Sequence, residues 1–392
     1  MANQSLRNVW IDYLRSTITV LVVAHHAALA YTTFSVFNKD AYILSTHPVV
    51  DHGRWALLDG MVSFNDTFFM SLMFFLGGLF FFSGIDKKGY LSFIKDKIFR
   101  LLIPFLLLGT VLMLLAYFPS FYLMRVNTNI WTYVQDFFTT EAWPVGPPWF
   151  LWLLFVFNFV AASFHQLFYG GKNSALQLNL NKNRTTVGLF LILFLTGLLA
   201  YLPMAGYFGP YSWTGIGPFD FQLSRLILYF AYFAIGAVVG KLAISEGVFA
   251  EKSLTVKYYR LWCLLALLAF GAFLYSTDVL NKAVDQKLLS SNQNAMISNI
   301  LFVLCCTLTF LAFVTSYSKL VVKKIAWWDS LSSHAYLIYL VHFVYVTWLQ
   351  FLLLSFNIPA GFKFLIVFVL SLGLSWATAY LLRKMPLVKK YL

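Results

Sequence analysis

The sequence predicts an all-α integral membrane protein of about ten transmembrane helices, with both termini on the cytoplasmic side. Three observations predict it. Of 392 residues, 60% are hydrophobic and only 11% are charged, where a soluble domain carries about a quarter charged residues; the mean hydropathy is +0.75. Apolar runs of spanning length recur along the whole chain. The basic residues gather in alternate loops, as they do where Lys and Arg are retained on the cytoplasmic face.

The apolar runs cover 9–34, 64–83, 98–123, 149–168 and 187–207, then 221–244, 258–275, 296–317, 331–356 and 362–382. With the N-terminus inside, the inner loops hold Arg7 and Arg15; Lys87, Lys88, Lys95, Lys97 and Arg100; Lys172, Lys182 and Arg184; and three further clusters toward the C-terminus. All but seven of the 28 Lys and Arg fall in this set, the others being Lys39, Arg54, Arg125, Arg225, Lys282, Lys287 and Lys363. An odd number of helices would scramble the pattern.

The same distribution removes a nucleic-acid partner. A net charge of +13 spread over alternate loops forms no basic soluble face. Cys263, Cys305 and Cys306 lie inside apolar runs without ligand-like spacing, so they read as packing residues and no metal site is expected. Arg7, an apolar run and Ala28-Leu29-Ala30 imitate a signal peptide, but Asp12 and Arg15 interrupt the run and its length suits an uncleaved first helix. The outer segments carry Glu141 and a Gly-, Pro- and aromatic-rich stretch at 207–220, expected to be a structured loop. Without repeats or linkers, residues 1–392 read as one membrane domain.

Few residues can carry chemistry. Arg15 and His26 are eleven residues apart, which at about 100° per residue returns them to one stripe, roughly 16 Å apart along the axis. Asp12 is three residues before Arg15, within ion-pair reach. Ionisable groups in a spanning helix are costly and often functional; the structural alternative is an interfacial pair plus a histidine bonded to a neighbouring helix. His25 points about 100° away and reads as a packing or orienting partner. Lys97 and Arg100, with Lys95 close by, put cations at a helix entrance where phosphates bind, although membrane anchoring explains most such clusters. Gly77 and Gly78, between aromatic residues, allow another backbone to approach. Trp149 opens a helix at the outer face, and Tyr339-Leu-Val-His342 places a lone histidine in an apolar run, more often a structural feature than a catalytic one.

Together these segments resemble the type 3 integral membrane acyltransferase family. The resemblance lies in the first-helix spacing of Asp12, Arg15 and His26; in Phe74-Phe75-Leu-Gly77-Gly78; in Lys97, Arg100 and Pro104; in Trp149-Phe-Leu-Trp152; and in Tyr339 with His342. It spans nearly the whole chain. Two departures stand out: Lys97 replaces the usual first arginine of the basic pair, and Gly77 the usual serine, unless Ser83-Gly84 takes its place. The layout is closest to the short members resembling glucan or surface-polysaccharide O-acyltransferases, in a multi-pass cell membrane location of the bacterial inner membrane type.

The resemblance implies transfer of an acyl group, acetyl or succinyl, from cytoplasmic acyl-CoA to a hydroxyl of a glycan or lipid-linked sugar. His26, Arg15 and Asp12 would be catalytic; Lys97, Arg100 and Lys95 would bind acyl-CoA; His25, His342, Tyr339 and Trp149 would contribute to the site. Acyl-CoA would be a co-substrate, with no tightly bound cofactor. Membrane lipids would surround the chain, and aromatic-rich helices leave a homo-oligomer open. The alternative class is a proton-coupled transporter or flippase, which also buries ionisable groups but favours inverted repeats.

Overall fold

The computed structural model describes residues 9–126, 128–139, 143, 146–169, 186–242 and 247–391. Arg7, Glu141, Lys172, Lys182 and Arg184 lie outside the described residues. The chain is helical almost throughout: α1 (Val9–Leu29), α2 (Ala56–Gly78), α3 (Phe81–Lys88), α4 (Tyr90–Lys97), α5 (Thr110–Arg125), α6 (Ile130–Thr139) and α7 (Trp149–Tyr169) come first. They are followed by α8 (Thr186–Phe208), α9 (Leu226–Lys241), α10 (Leu254–Lys257), α11 (Tyr259–Asp285), α12 (Ser291–Leu320), α13 (Ala326–Leu353), α14 (Ala360–Leu382) and α15 (Pro386–Tyr391). The loop expected at 207–220 is structured: β1 (Trp213–Thr214) and β2 (Phe221–Gln222) pair antiparallel.

Among the described residues, nine helical stretches are long and apolar enough to cross a membrane. The tenth predicted span is α1, 21 residues long. Asp12, Arg15, His25 and His26 keep it below the hydropathy of the others, and it is held among α2, α12, α13 and α14. Most of its polar side chains bond to protein, as a low-dielectric surround requires.

Helices α1 and α13 run parallel and are stitched along their length. Tyr13 donates to Asp329 at 2.8 Å and accepts from the Ile325 backbone N–H at 2.7 Å. The Ser16 and Ser332 hydroxyls meet at 2.9 Å, and the Trp328 indole donates to Ser16 at 3.1 Å. Further along, Gln350 donates to the carbonyls of His26 and Ala27 at 3.1 and 3.2 Å. The Tyr317 hydroxyl on α12 donates to Thr17 at 2.6 Å.

Helices α2 and α9 pack backbone to backbone. A Cβ added at Gly78 would fall 2.1 Å from the Phe233 carbonyl oxygen, one at Gly236 2.1 Å from that of Phe75, and one at Gly240 1.9 Å from that of Leu79. The small-residue stripe read from the sequence is thus a helix seam. Gly77 faces the Leu154 side chain instead. Cys305 and Cys306 are buried, Cys263 is half-buried, and all three are free.

The third predicted span begins earlier than its apolar pattern, because α4 continues into it through two wide π-helical turns, Ile98–Leu102 and Phe105–Gly109, either side of Pro104. Proline removes one backbone donor, and the wider turns absorb the mismatch. At the end of the bundle carrying the outer loops, Lys363 donates to Asp51 at 2.6 Å with both side chains buried. The Arg54 guanidinium ties the start of α2 to the Ala30 and Thr32 carbonyls at the end of α1.

The α2–α9 seam makes a direct prediction. Gly236→Ala must push a methyl into a carbonyl, costing about 1–3 kcal/mol, and is expected to lower the melting temperature of detergent-purified protein. Gly271→Ala on α11, where the added carbon meets nothing within 4 Å, leaves it unchanged. A thermal shift assay on both variants checks this.

Candidate functional site

A cavity of about 1060 Å³ opens among α1, α2, α7, α13 and the outer loops, and His25, His26, Tyr339 and Trp149 all line it. Each comes from a different local cause. His26 lies in the last turn of α1, and its Nδ1 is 2.8 Å from the Val22 carbonyl oxygen. A carbonyl only accepts, so Nδ1 carries the proton and Nε2 is the bare nitrogen. His342 is fully buried, and its Nδ1 is 2.7 Å from the Tyr339 carbonyl oxygen. Its Nε2 is therefore an acceptor, 3.3 Å from His26 Nδ1. The His26 N–H is shared between the Val22 carbonyl and His342, and two backbone carbonyls fix both tautomers. The lone-histidine reading of His342 gives way to a two-histidine unit.

The surrounding residues hold this unit in place. Phe343 packs edge-on against His26 at 5.2 Å. Gln350, whose amide nitrogen is committed to the His26 and Ala27 carbonyls, presents its oxygen to His47 Nε2 at 2.7 Å. His47 also lines the cavity, and burial holds it neutral, pushing it down to about 4. His25 stacks on Phe69 at 5.2 Å, and its Nδ1 is buried with no partner among the described residues.

The segment before α7 folds inward against these helices. Gly146 has φ +53, and a Cβ there would lie 2.3 Å from Met113 Sδ, so only glycine fits both backbone and space. Pro147 and Pro148 then lead into α7, where proline is at ease because the first helical N–H groups have no partner anyway. The Tyr339 hydroxyl donates to the Pro147 carbonyl. Trp149 consequently sits against Tyr229 at 6.0 Å and Trp213 at 5.4 Å. Trp152 donates to the Asp220 carbonyl at 3.0 Å, anchoring the β-hairpin. Burial raises the Asp220 carboxyl above its ordinary value, with the Phe221 backbone N–H opposing it.

The charged candidates gather elsewhere. Arg15 donates to Asp12 at 3.1 Å, eleven residues and about 16 Å along α1 from His26; neither lines the cavity. Arg100 and Lys88 both pair with Asp96, at 3.1 and 2.9 Å, while the Lys97 ammonium lies over the Phe93 ring at 5.1 Å. Lys95 is exposed. The Arg100 carbonyl accepts from Tyr336 on α13 at 2.7 Å, so the basic entrance is six residues, about 9 Å, from His342 along that helix. Among the described residues no cluster of His, Cys, Asp or Glu is placed to hold a metal ion.

Three groups escaped the sequence reading as site residues: Gln350, His47, and the pair Asp66–Arg225. Arg225 is almost fully buried and grips both Asp66 oxygens at 2.9 and 2.6 Å. Opposite charges each at the mouth of an apolar run were a signal available in the sequence. Gln350 gave none, since a single amide in an apolar run does not reveal its partners.

Comparison with known families gives a match to the type 3 acyltransferase domain over residues 8–380. Neither the curated proteins nor the solved structures gave a match. Matched over nearly its whole length, the chain belongs to the type 3 integral membrane acyltransferase family and is a multi-pass membrane enzyme that transfers an acyl group other than an aminoacyl group.

Proposed function

We propose that this acyltransferase moves an acetyl or succinyl group from cytoplasmic acyl-CoA to a hydroxyl of a glycan or lipid-linked sugar, with His26 as general base. The observation that carries the reading is the bare Nε2 of His26 in a large cavity, its Nδ1–H shared by the Val22 carbonyl and His342. The acceptor enters that cavity from the outer loops. Its hydroxyl passes a proton to His26 Nε2 while the oxygen attacks the thioester carbonyl carbon. The resulting imidazolium is stabilised by the lone pair of His342 Nε2 and the Val22 carbonyl. Collapse of the tetrahedral intermediate breaks the carbon–sulfur bond, and the thiolate takes the proton back from His26. Acyl ester and free CoA thiol are the products.

Donor binding falls to the other end. Arg15, oriented by Asp12, and Lys97 with Arg100 and Lys95 offer cations to the CoA phosphates. The thin pantetheine arm then reaches between helices toward His26. Tyr336, bonded to the Arg100 carbonyl, links this entrance to the helix that carries His342. The reacting groups come from α1 and α13, whose stitched pairing keeps their separation fixed. The family's setting makes the cytoplasmic membrane of a bacterium the proposed location.

Two experiments test the assignment in proteoliposomes with radiolabelled acetyl-CoA or succinyl-CoA inside and glycan acceptor outside. His26→Ala is expected to lower kcat/KM by about 10²–10⁴ without changing acyl-CoA binding; full transfer would remove the base role. Arg15→Ala and Lys97→Ala are expected to raise the KM for acyl-CoA by about tenfold, one lost charge-assisted bond, with a smaller change in kcat. An unchanged KM in both would move the donor site elsewhere. His342→Phe, which keeps the ring volume but loses the acceptor nitrogen, is expected to lower kcat with the KM for acyl-CoA held.

A further inference from the structure

The cavity lining includes groups that the transfer step does not use. The charged side chains lining it are Asp66 and Asp220, and no Lys or Arg lines it among the described residues. The nearest guanidinium, Arg225, lies behind Asp66: its side chain is 1% exposed where that of Asp66 is 30% exposed. Arg225 rests on the Phe302 ring at 4.6 Å and also takes the Asp66 carbonyl oxygen at 2.9 Å. The pair is neutral overall, yet its carboxylate half is the one presented to the cavity. A carboxylate has about four lone-pair sites, and Arg225 occupies one on each oxygen. The remaining sites are held in a fixed orientation and can accept from hydroxyl donors.

Beside this acceptor stands an aromatic corner. Trp149 and Trp213 meet edge to face, with centroids 5.4 Å apart and planes at 85°. Tyr211 and Trp213 are exposed residues of the hairpin region, and both line the cavity. His25 adds a buried Nδ1 with no partner among the described residues, a polar atom whose desolvation would be costly unless something in the cavity bonds it. Indole faces suit the C–H faces of a pyranose ring, and a few convergent polar groups fix its orientation.

Resting on the reading of His26 as base for a hydroxyl acceptor, we propose that Asp66, Trp149, Tyr211 and Trp213 form a subsite for an uncharged sugar ring and that this subsite rejects acidic sugars. Ring hydroxyls donate to the outer lone pairs of Asp66 while the apolar face lies on the indoles. A uronate or sulfated sugar would bring an anion beside two carboxylates with no cation to meet it. Repulsion at low dielectric then sets selectivity by exclusion.

The test is saturation-transfer NMR on the full chain in nanodiscs, without acyl-CoA, using a neutral glucose oligosaccharide and an oligoglucuronate of equal length. The neutral probe is expected to receive saturation and to bind at least about tenfold more tightly than the oligoglucuronate, the cost of one close like-charge contact. Trp213→Ala, on the exposed hairpin, is expected to weaken neutral binding by about tenfold; Trp131→Ala, on an exposed face away from the cavity, leaves it unchanged. Asp66→Asn is expected to narrow the discrimination; a folded Asp66→Asn protein that discriminates as before overturns the role of that carboxylate. His26→Ala retains sugar binding, which separates this subsite from the base assignment. Equal or tighter binding of the oligoglucuronate, or no binding of either probe, overturns the proposal.

Discussion

A polar group on α1 that does not face the cavity has to find protein, because the hydrocarbon around a membrane bundle offers neither donors nor acceptors. The parallel pairing of α1 with α13 is how this chain meets that requirement. Tyr13 with Asp329 and Ser16 with Ser332 fix the register at one end, and Gln350 grips the end of α1 at the other. Once the register is set, His26 and His342 arrive opposite one another with no freedom to slide. The catalytic proposal follows from a packing obligation: the two rings meet because the serines and tyrosine below them and the amide above them have each been satisfied.

The second layer of organisation is the inward folding of the outer loops. An outer loop that stayed at the surface would leave a bundle with a shallow vestibule. Here Gly146 tucks under Met113, Tyr339 holds the Pro147 carbonyl, and Trp152 holds the hairpin through Asp220. The loops thereby become walls, and the cavity acquires Tyr211, Trp213 and the Asp220 carboxyl, a group that would be costly facing lipid. The basic residues near Asp12 and Asp96 have the opposite character: Arg15 and Arg100 pair with those carboxylates at half-exposed positions, where water can reach them.

Much of this was legible in the sequence. Hydropathy, loop charges and the eleven-residue Arg15–His26 interval reveal a helical membrane protein with a polar first helix, because those signals are local and periodic. The resemblance to a family came from motif order along the chain. His342 was undervalued because a single histidine in an apolar run says nothing of what faces it; its partner is 316 residues away. Gln350, His47 and the Asp66–Arg225 pair were missed for the same reason, since their meaning lies in contacts between distant segments. Helix boundaries shifted where wide turns around Pro104 let a helix continue through a polar stretch that hydropathy reads as a loop.

The α2–α9 seam and the β-hairpin differ in how much sequence change each can absorb. At Gly78, Gly236 and Gly240 any single-codon change away from glycine adds at least one carbon where a carbonyl already sits. Those positions are closed to drift. Tyr211 and Trp213 are exposed residues at a short hairpin, and Trp213 meets α7 through a ring contact with Trp149, so replacements there trade side-chain contacts and leave the helix backbones where they are. Descendants of this chain can therefore reshape the cavity wall by altering a few hairpin residues while the seam stays frozen, a division of labour between inheritance and variation written into two small pieces of backbone.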